Sequence, residues 1–256
     1  MTLRILQLTD CHLFVDPKAE LKEICTRDRL ERVLATLPPE FDRVDRLIIT
    51  GDLTHDDLPE TYGAVRTLFD SWWPRVRLVP GNHDVRDGLC LHCGDRVERV
   101  GERIVFRETL GSWKLIGLDS HWPGEVRGEL GTTQLEWLDG ELSAGASTPT
   151  ALFLHHPPIL AGSSWMNEVG LVDREAFWSV IERHPQVRVI CAGHVHHELT
   201  TYRRGVLVLT TPSTGVQFVP ESEQFQIDVA EPGYRILELE DDGAVRTRVV
   251  RVPLDS

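Results

Sequence analysis

Val76-Arg77-Leu78-Val79-Pro80-Gly81-Asn82-His83-Asp84 is the stretch that decides the fold. Val76 to Pro80 is an apolar extended run that reads as a strand ending in a loop. Loops beyond the carboxyl ends of strands are where open α/β sheets gather their ligand chemistry. Gly81 is expected to let the backbone turn sharply, so that Asn82 and His83 point into a crevice. An amide oxygen and an imidazole nitrogen are both competent partners for a metal or a phosphate. One tetrapeptide decides little, but four other fragments repeat its layout.

Leu3 to Thr9 ends in Asp10-Cys11-His12, and Leu47 to Thr50 ends in Gly51-Asp52. Ala151 to Leu154 ends in His155-His156-Pro157-Pro158, and Val187 to Ala192 ends in Gly193-His194-Val195-His196-His197. In an extended segment residues i and i+2 project to one side, which predicts that Asp10 converges with His12, and His194 with His196. Asp119 and His121 repeat that spacing in isolation and read as structural.

Asp-x-His, Gly-Asp, Gly-Asn-His-Asp, His-His-Pro-Pro and Gly-His-x-His, in this order, resemble the calcineurin-like metallophosphoesterases from Leu3 to about Glu198. Gly117 to Ser120, Gly128-Glu129-Leu130, Gln134 to Leu138 and Thr211 to Phe218 are similar to the bacterial class III cyclic-nucleotide phosphodiesterases, the CpdA type. The resemblance implies an α/β fold, a four-layer αββα sandwich of two mixed β-sheets flanked by helices. It implies two divalent transition-metal ions. Asp10, His12, Asp52 and His196 would hold one, and Asp52, Asn82, His155 and His194 the other, with Asp52 bridging. Mixed imidazole, carboxylate and amide ligation without thiolate suits manganese, iron, zinc or cobalt.

His83 is assigned to catalysis, assisting the leaving oxygen, and Asp84 to orienting His83 or its loop. His156 and His197 are divided between substrate contact and packing. The implied reaction is hydrolysis of a 3′,5′-cyclic nucleotide, cyclic AMP to 5′-AMP, by metal-bound hydroxide. The alternatives are a broader phosphodiesterase for glycerophosphodiesters or similar small esters, and a noncatalytic scaffold of the same fold. A scaffold is expected to lack imidazoles, whereas His12, His83, His155, His194 and His196 are all present. A protein phosphatase is disfavoured, because Leu53-Thr54-His55-Asp56 stands where that branch carries an Asp-Arg-Gly continuation.

A chain of 256 residues with 41% hydrophobic content can bury a substantial core, and one domain over 1–256 is expected. The net charge of -13, from 40 acidic and 27 basic residues, repels a polyanion. A small-molecule phosphodiester, and no nucleic-acid polymer, is therefore the expected partner. Apolar runs are short and broken by charge, which offers no membrane span. Met1-Thr2-Leu3-Arg4 enters directly into a strand pattern without a signal peptide, so the cytoplasm is expected. The five cysteines are scattered, which argues against a disulfide framework. Cys90-Leu91-His92-Cys93 has no second pair to complete a zinc site and reads as ordinary thiols. Nothing in the pattern sets the oligomeric state.

Helices are expected over Ala19–Leu37 (stopped by Pro38-Pro39), Pro59–Trp72, Thr132–Leu142 and Asp173–Arg183. Thr132 or Thr133 is the expected cap of the third, and Asp173 of the fourth. Val85 to Gly101 reads as irregular. Arg103–Glu108 and Trp113–Asp119 read as strands turning at Gly111. Hairpins are expected over Leu199–Leu209 and Tyr234–Val252, both assigned to the second sheet, with 211–233 as an ordered loop near the site. Arg27, Arg29 and Arg86 are assigned to solvated surface.

Overall fold

Alternation along the strands sorts their side chains between separate interiors. In β1 (Leu3–Leu8), Leu3 and Ile5 face one cluster of buried apolar residues, while Leu6 and Leu8 face another. The computed structural model describes residues 2–37 and 44–254, and the expected Pro38-Pro39 stop lies outside the described residues. Further strands are β2 (Arg46–Thr50), β3 (Val76–Val79), β4 (Glu98–Val100), β5 (Arg103–Leu110) and β6 (Trp113–Gly117). β7 (Thr150–Phe153), β8 (Val187–Ala192), β9 (Leu199–Arg203), β10 (Val206–Thr210), β11 (Gly233–Leu239) and β12 (Val245–Arg251) complete two mixed sheets.

The first sheet has the order β12-β11-β1-β2-β3, with β1, β2 and β3 parallel and β11 antiparallel to β1. The second has the order β9-β10-β8-β7-β6-β5-β4, with β6, β7, β8 and β10 parallel. Between the sheets lie Ile5, Ile48, Val79, Phe153, Val189, Leu209 and Leu237, all buried. The outer face of the first sheet packs on α1 (Thr26–Ala35) and α2 (Pro59–Leu68) through Leu30, Val33, Tyr62 and Val65. The outer face of the second packs on α4 (Thr132–Ala144) and α6 (Arg174–Ile181) through Leu138, Leu142, Phe177 and Ile181. The result is a four-layer αββα sandwich, in which each fully buried aliphatic or Phe side chain contributes about 1.5–3 kcal/mol.

The interior turns polar where the parallel strands end. Gln7 Nε2 donates to Thr50 Oγ1 (2.9 Å) and to the Ala192 carbonyl (3.1 Å), while Thr211 Oγ1 donates to Gln7 Oε1 (2.7 Å). The buried Arg235 donates to Thr211 Oγ1, the Thr210 carbonyl and Thr247 Oγ1 at 3.2, 2.7 and 3.0 Å. These satisfied bonds lock the carboxyl ends of β1, β2, β8 and β10 against each other, which fixes the platform for the loops beyond them.

Several local expectations differ from the structure. The first helix starts only at Thr26, because Glu20–Leu21 and Ile24–Cys25 pair across a tight turn. Lys22 (φ 53°) and Glu23 (φ 65°) make that turn in left-handed backbone, which helical periodicity cannot reveal. The Pro59 helix ends at Leu68, and Asp70–Arg75 continues as a 3₁₀ turn. Val85 to Gly101 is not irregular. It holds α3 (Arg86–Cys93), which buries Leu89 and Cys93, and then β4. Another short helix, α5, spans Ser164–Glu168. Gly131 stands at the N-cap position of α4 in place of either threonine. Asp173 stands at the N-cap of α6 as expected, but its carboxylate accepts from the N–H groups of Leu130 and Gly131 and makes no side-chain bond to its own helix. The last hairpin, β11–β12, joins the first sheet, because β11 pairs with the open side of β1; only β9–β10 belongs to the second.

Candidate metal centre

The loops after β1, β2, β3, β7 and β8 meet at one edge of the sandwich. Asp10 N donates to the Gly51 carbonyl (3.1 Å), Gly193 N to the His155 carbonyl (3.0 Å), and Thr214 N to the Thr9 carbonyl (3.1 Å). Asp10, His12, Asp52 and His196 bring one donor atom each to a common point, the atoms lying within 4.8 Å of one another. His155 and His194 stand beside it with ring centroids 5.1 Å apart, and Asn82 Oδ1 lies 3.1 Å from His155 Nε2. The expected convergence of His194 with His196 is therefore corrected: they part toward two neighbouring groups.

The strand pleat is not what aims these side chains. Asp10, His12, Asp52, His194 and His196 have φ of 55°, 46°, 50°, 69° and 53°, all in the left-handed region. Each such non-glycine residue costs about 1–3 kcal/mol and persists only where its surroundings over-determine it. Gly81 is likewise not needed for an unusual φ. A side chain there would run into the Asp52 carboxylate and backbone, so the glycine provides close approach of two loops.

Hydrogen bonds fix which imidazole nitrogen faces the centre. The Nδ1–H of His155 donates to the Thr50 carbonyl (2.8 Å), and that of His196 to the Val216 carbonyl (2.7 Å), which turns Nε2 of each toward the centre, beside Asn82 Oδ1 and Asp10 Oδ1 respectively. His194 donates from Nε2 to the Val169 carbonyl (3.1 Å), which leaves Nδ1. His12 Nδ1 pairs with His55 Nδ1 at 3.2 Å, directing Nε2 inward. Such outer partners orient metal-binding histidines and hold their tautomers. Asp52 Oδ2 sits between the groups, 3.4 Å from His12 Nε2 and 3.5 Å from His155 Nε2.

Buried carboxylates and imidazoles shift one another's protonation at this point. Burial opposes ionisation of Asp10, yet His196 and His155 hold its carboxyl below the usual range. Burial also opposes charge on His155, but Asp52 and Asp10 draw its pKa above the ordinary histidine value. Burial, reinforced by neighbouring imidazoles, pushes His12 and His194 well below theirs, which keeps them neutral and suited to ligation. Converging carboxylate, amide and neutral imidazole donors fit a pair of divalent cations.

His83 stands at the rim. Its backbone N–H donates to Asp52 Oδ1 (2.9 Å), and its ring stacks on His55 with centroids 4.5 Å apart and planes at 26°. Asp84 does not hold the His83 ring. Its carboxylate accepts from Gly81 N (2.8 Å), Leu53 N (3.1 Å) and Tyr62 Oη (3.2 Å), so it ties two loops together. Burial and the nearby Asp52 push Asp84 up to about 7, while the N–H donors pull it back. His156 has both nitrogens engaged, with Ser120 Oγ (2.8 Å) and the Val126 carbonyl (2.9 Å), and offers no lone pair to a metal. His197 is buried beside the centre, and its Nδ1 has no partner among the described residues.

Asp119 has the structural role its isolation suggested: it accepts from Arg86 Nε (2.7 Å), Ile104 N (2.8 Å) and His121 N (2.9 Å). Arg86 is consequently no solvated side chain, but half-buried and committed to Asp119. Arg27 pairs with Glu31 on the surface of α1 (2.9 Å). Cys93 is buried in α3, and desolvation pushes its thiol up to about 12. His55, Trp165 and Phe225 escaped the reading of the sequence, because none belongs to a ligand motif. His55 was legible only as an extra imidazole three residues after Asp52.

A family model, calcineurin-like phosphoesterase, matches residues 3–198. The chain belongs to the calcineurin-like phosphoesterases. Among its relatives, the 3′,5′-cyclic adenosine monophosphate phosphodiesterase CpdA of Vibrio vulnificus is 34% identical over 251 residues, covering 98% of this chain and 90% of the relative. A 3′,5′-cyclic-nucleotide phosphodiesterase of a Nostoc species is 35% identical, over 99% of this chain and 94% of the relative. A dimetal phosphatase from Danio rerio has the same fold at 16% identity, with a TM-score of 0.62 over 98% of this chain and 99% of that one. Among the described residues, no helix is long and apolar enough to cross a membrane.

Proposed function

We propose that this chain hydrolyses 3′,5′-cyclic nucleotides, cyclic AMP to 5′-AMP foremost. The observation that carries this reading is end-to-end similarity to cyclic-nucleotide phosphodiesterases, 34% identity over 98% of the chain in the Vibrio vulnificus case. A family model alone would leave every small phosphodiester open. In this reading residues 1–256 form one domain, and 211–233 contribute a wall of the site through Val216, Phe218 and Phe225. The unpaired state of Cys11, Cys25, Cys90, Cys93 and Cys191 supports placing the enzyme in the reducing cytoplasm.

Asp10, His12, Asp52 and His196 hold one divalent ion in this proposal, and Asp52, Asn82, His155 and His194 the other. Manganese, iron, zinc and cobalt all suit that donor set. Such a pair lowers the pKa of water and offsets charge developing at phosphorus. Asp52 would be the shared ligand: its Oδ2 lies 3.4 Å from Nε2 of His12 and 3.5 Å from Nε2 of His155. Asp10 meets His155 only on the Nδ1 side, at 3.9 Å, where that nitrogen is bonded to the Thr50 carbonyl. Carbonyls of Thr50, Val216 and Val169 hold His155, His196 and His194 in the required tautomers.

His83 acts on the leaving side. As the oxygen of water bonds to phosphorus and the bond from phosphorus to the 3′ oxygen breaks, His83 gives that oxygen its proton, a service worth about two to four orders of magnitude. The hydrogen bond from its backbone to Asp52 sets the ring beside the centre, and Asp84 keeps the loop in place.

Elemental analysis of Asp52→Asn, alongside cyclic AMP hydrolysis, tests the assignment. The expected result is loss of at least one of two bound metals together with activity. A variant that keeps both metals and full turnover would overturn the bridging role of Asp52.

A further inference from the structure

Beside the metal centre lies a cavity of about 230 Å³, bounded on one side by His12, Asp52, Asn82 and His194. The rest of its lining is largely apolar and aromatic, including Trp165, Met166, Val169, Phe218 and Phe225, together with Lys22. Trp165, Phe218 and Phe225 meet edge to face. Their centroids are 5.1 to 5.6 Å apart and each pair of planes crosses at 68° to 82°. Three mutually steep rings make a corner, and Phe218 joins that corner to the centre by stacking on His196 at 4.0 Å and 5°.

One atom in the wall lacks a partner. Trp165 Nε1 is buried with no hydrogen-bond acceptor among the described residues. A buried N–H left unpaired is costly, so a ligand acceptor there relieves the penalty. The wall thus asks for a ligand with flat apolar faces and an acceptor on its edge. A nucleobase has both: π faces for stacking, and ring nitrogens or exocyclic oxygens for the indole N–H.

A quaternary ammonium headgroup is the obvious competitor for an aromatic corner. Two features count against it. Lys22 Nζ lies 5.6 Å from the Phe225 centroid, so the corner already faces a cation. Asp52 is the sole carboxylate among the described residues lining the cavity, and it belongs to the metal centre. A headgroup of that kind also brings no acceptor to Trp165.

We propose that the Trp165, Phe218 and Phe225 corner is the nucleobase subsite, with Trp165 Nε1 donating to the base edge and Phe225 supplying a stacking face. The inference rests on the cyclic-nucleotide reading and adds the residues that read the base. Trp165 and Phe225 are binding residues in this account and take no part in breaking the ester.

Isothermal titration of the manganese-reconstituted protein with 5′-AMP, ribose 5-phosphate and phosphocholine tests it, with cyclic AMP hydrolysis followed in parallel. Base stacking and one hydrogen bond predict that 5′-AMP binds about tenfold or more tighter than ribose 5-phosphate. In Trp165→Phe, which keeps a ring and removes the N–H, and in Phe225→Leu, which keeps bulk and removes the π face, that ratio should fall about fivefold. Phe225 is 44% exposed, so its replacement leaves the fold intact, and an unchanged affinity for ribose 5-phosphate verifies that. An unchanged ratio in both variants, or phosphocholine binding tighter than ribose 5-phosphate, overturns the subsite. The affinity ratio does not depend on turnover. Base-dependent binding without cyclic AMP hydrolysis would sink the reaction and keep the subsite; hydrolysis with base-independent binding would do the reverse.

Discussion

Gly51→Ala probes how tightly the loops are wedged around the centre. Gly51 has φ +91°, and a Cβ built on it lies 2.6 Å from His155 Nδ1, 2.6 Å from Gly81 N and 2.7 Å from Gly81 Cα. An ordinary contact begins at 3.4 Å, so ring and backbone must yield by about 0.8 Å. His155 Nδ1 is held by the Thr50 carbonyl, and its Nε2 faces Asp52, so the displacement passes straight to the donor set. Misplacement of about 1 Å costs about 10²-fold in rate. The left-handed backbone adds about 1–2 kcal/mol of strain for alanine.

Gly101→Ala is the control, because Gly101 has φ +60° and nothing within 4 Å of its Cβ. Both variants should melt lower, by about 2–8 °C for the backbone strain alone. Only Gly51→Ala should lose about 10²-fold in kcat and weaken metal binding. Thermal denaturation, metal titration and steady-state kinetics on the pair separate the effects. Equal activity in the two variants would refute the wedge.

His83→Asn should lower kcat by about 10²- to 10⁴-fold while both metals are retained, as metal analysis and kinetics would show. His55→Phe preserves the stack on His83 but removes the nitrogen 3.2 Å from His12 Nδ1. It should cost about 10- to 100-fold in metal affinity or activity, and a wild-type metal titration curve would count against His55 as the orienting partner of His12. The metal-free protein should weaken in acid. Burial keeps His12, His156 and His194 neutral, so below about pH 6.5 only the unfolded chain takes up their protons. Each removes about 1.4 kcal/mol per pH unit as the pH falls, outweighing Asp84, whose raised pKa acts oppositely between about 4 and 7, while His155, also raised, acts oppositely only above about 6.5. Urea unfolding of metal-free protein from about pH 6.5 to about pH 5 should show falling stability; a flat or rising profile would contradict the burial argument.

The sandwich and its ligand loops were legible because each donor follows an apolar strand, and that pairing survives without knowledge of tertiary contacts. What aims the donors was not. Left-handed backbone at Asp10, His12, Asp52, His194 and His196 depends on carbonyls and N–H groups from distant loops, so no local pattern betrays it. The α3 helix was missed because Arg86, Asp87, Gly88 and His92 obscure a face carried by Leu89 and Cys93 alone. The last hairpin went to the wrong sheet because strand periodicity reports burial and says nothing of which neighbour supplies it. The sequence leaves His156 divided between substrate contact and packing. Only the bonds to Ser120 and Val126 show that its nitrogens are committed.

Cyclic-nucleotide hydrolysis by this protein is read from kcat/KM for 3′,5′-cyclic AMP after metal reconstitution, set against bis(p-nitrophenyl) phosphate on the same sample. The expected result is efficient conversion of cyclic AMP to 5′-AMP that disappears in Asp52→Asn. Cleavage of the artificial diester with cyclic AMP left intact would contradict it.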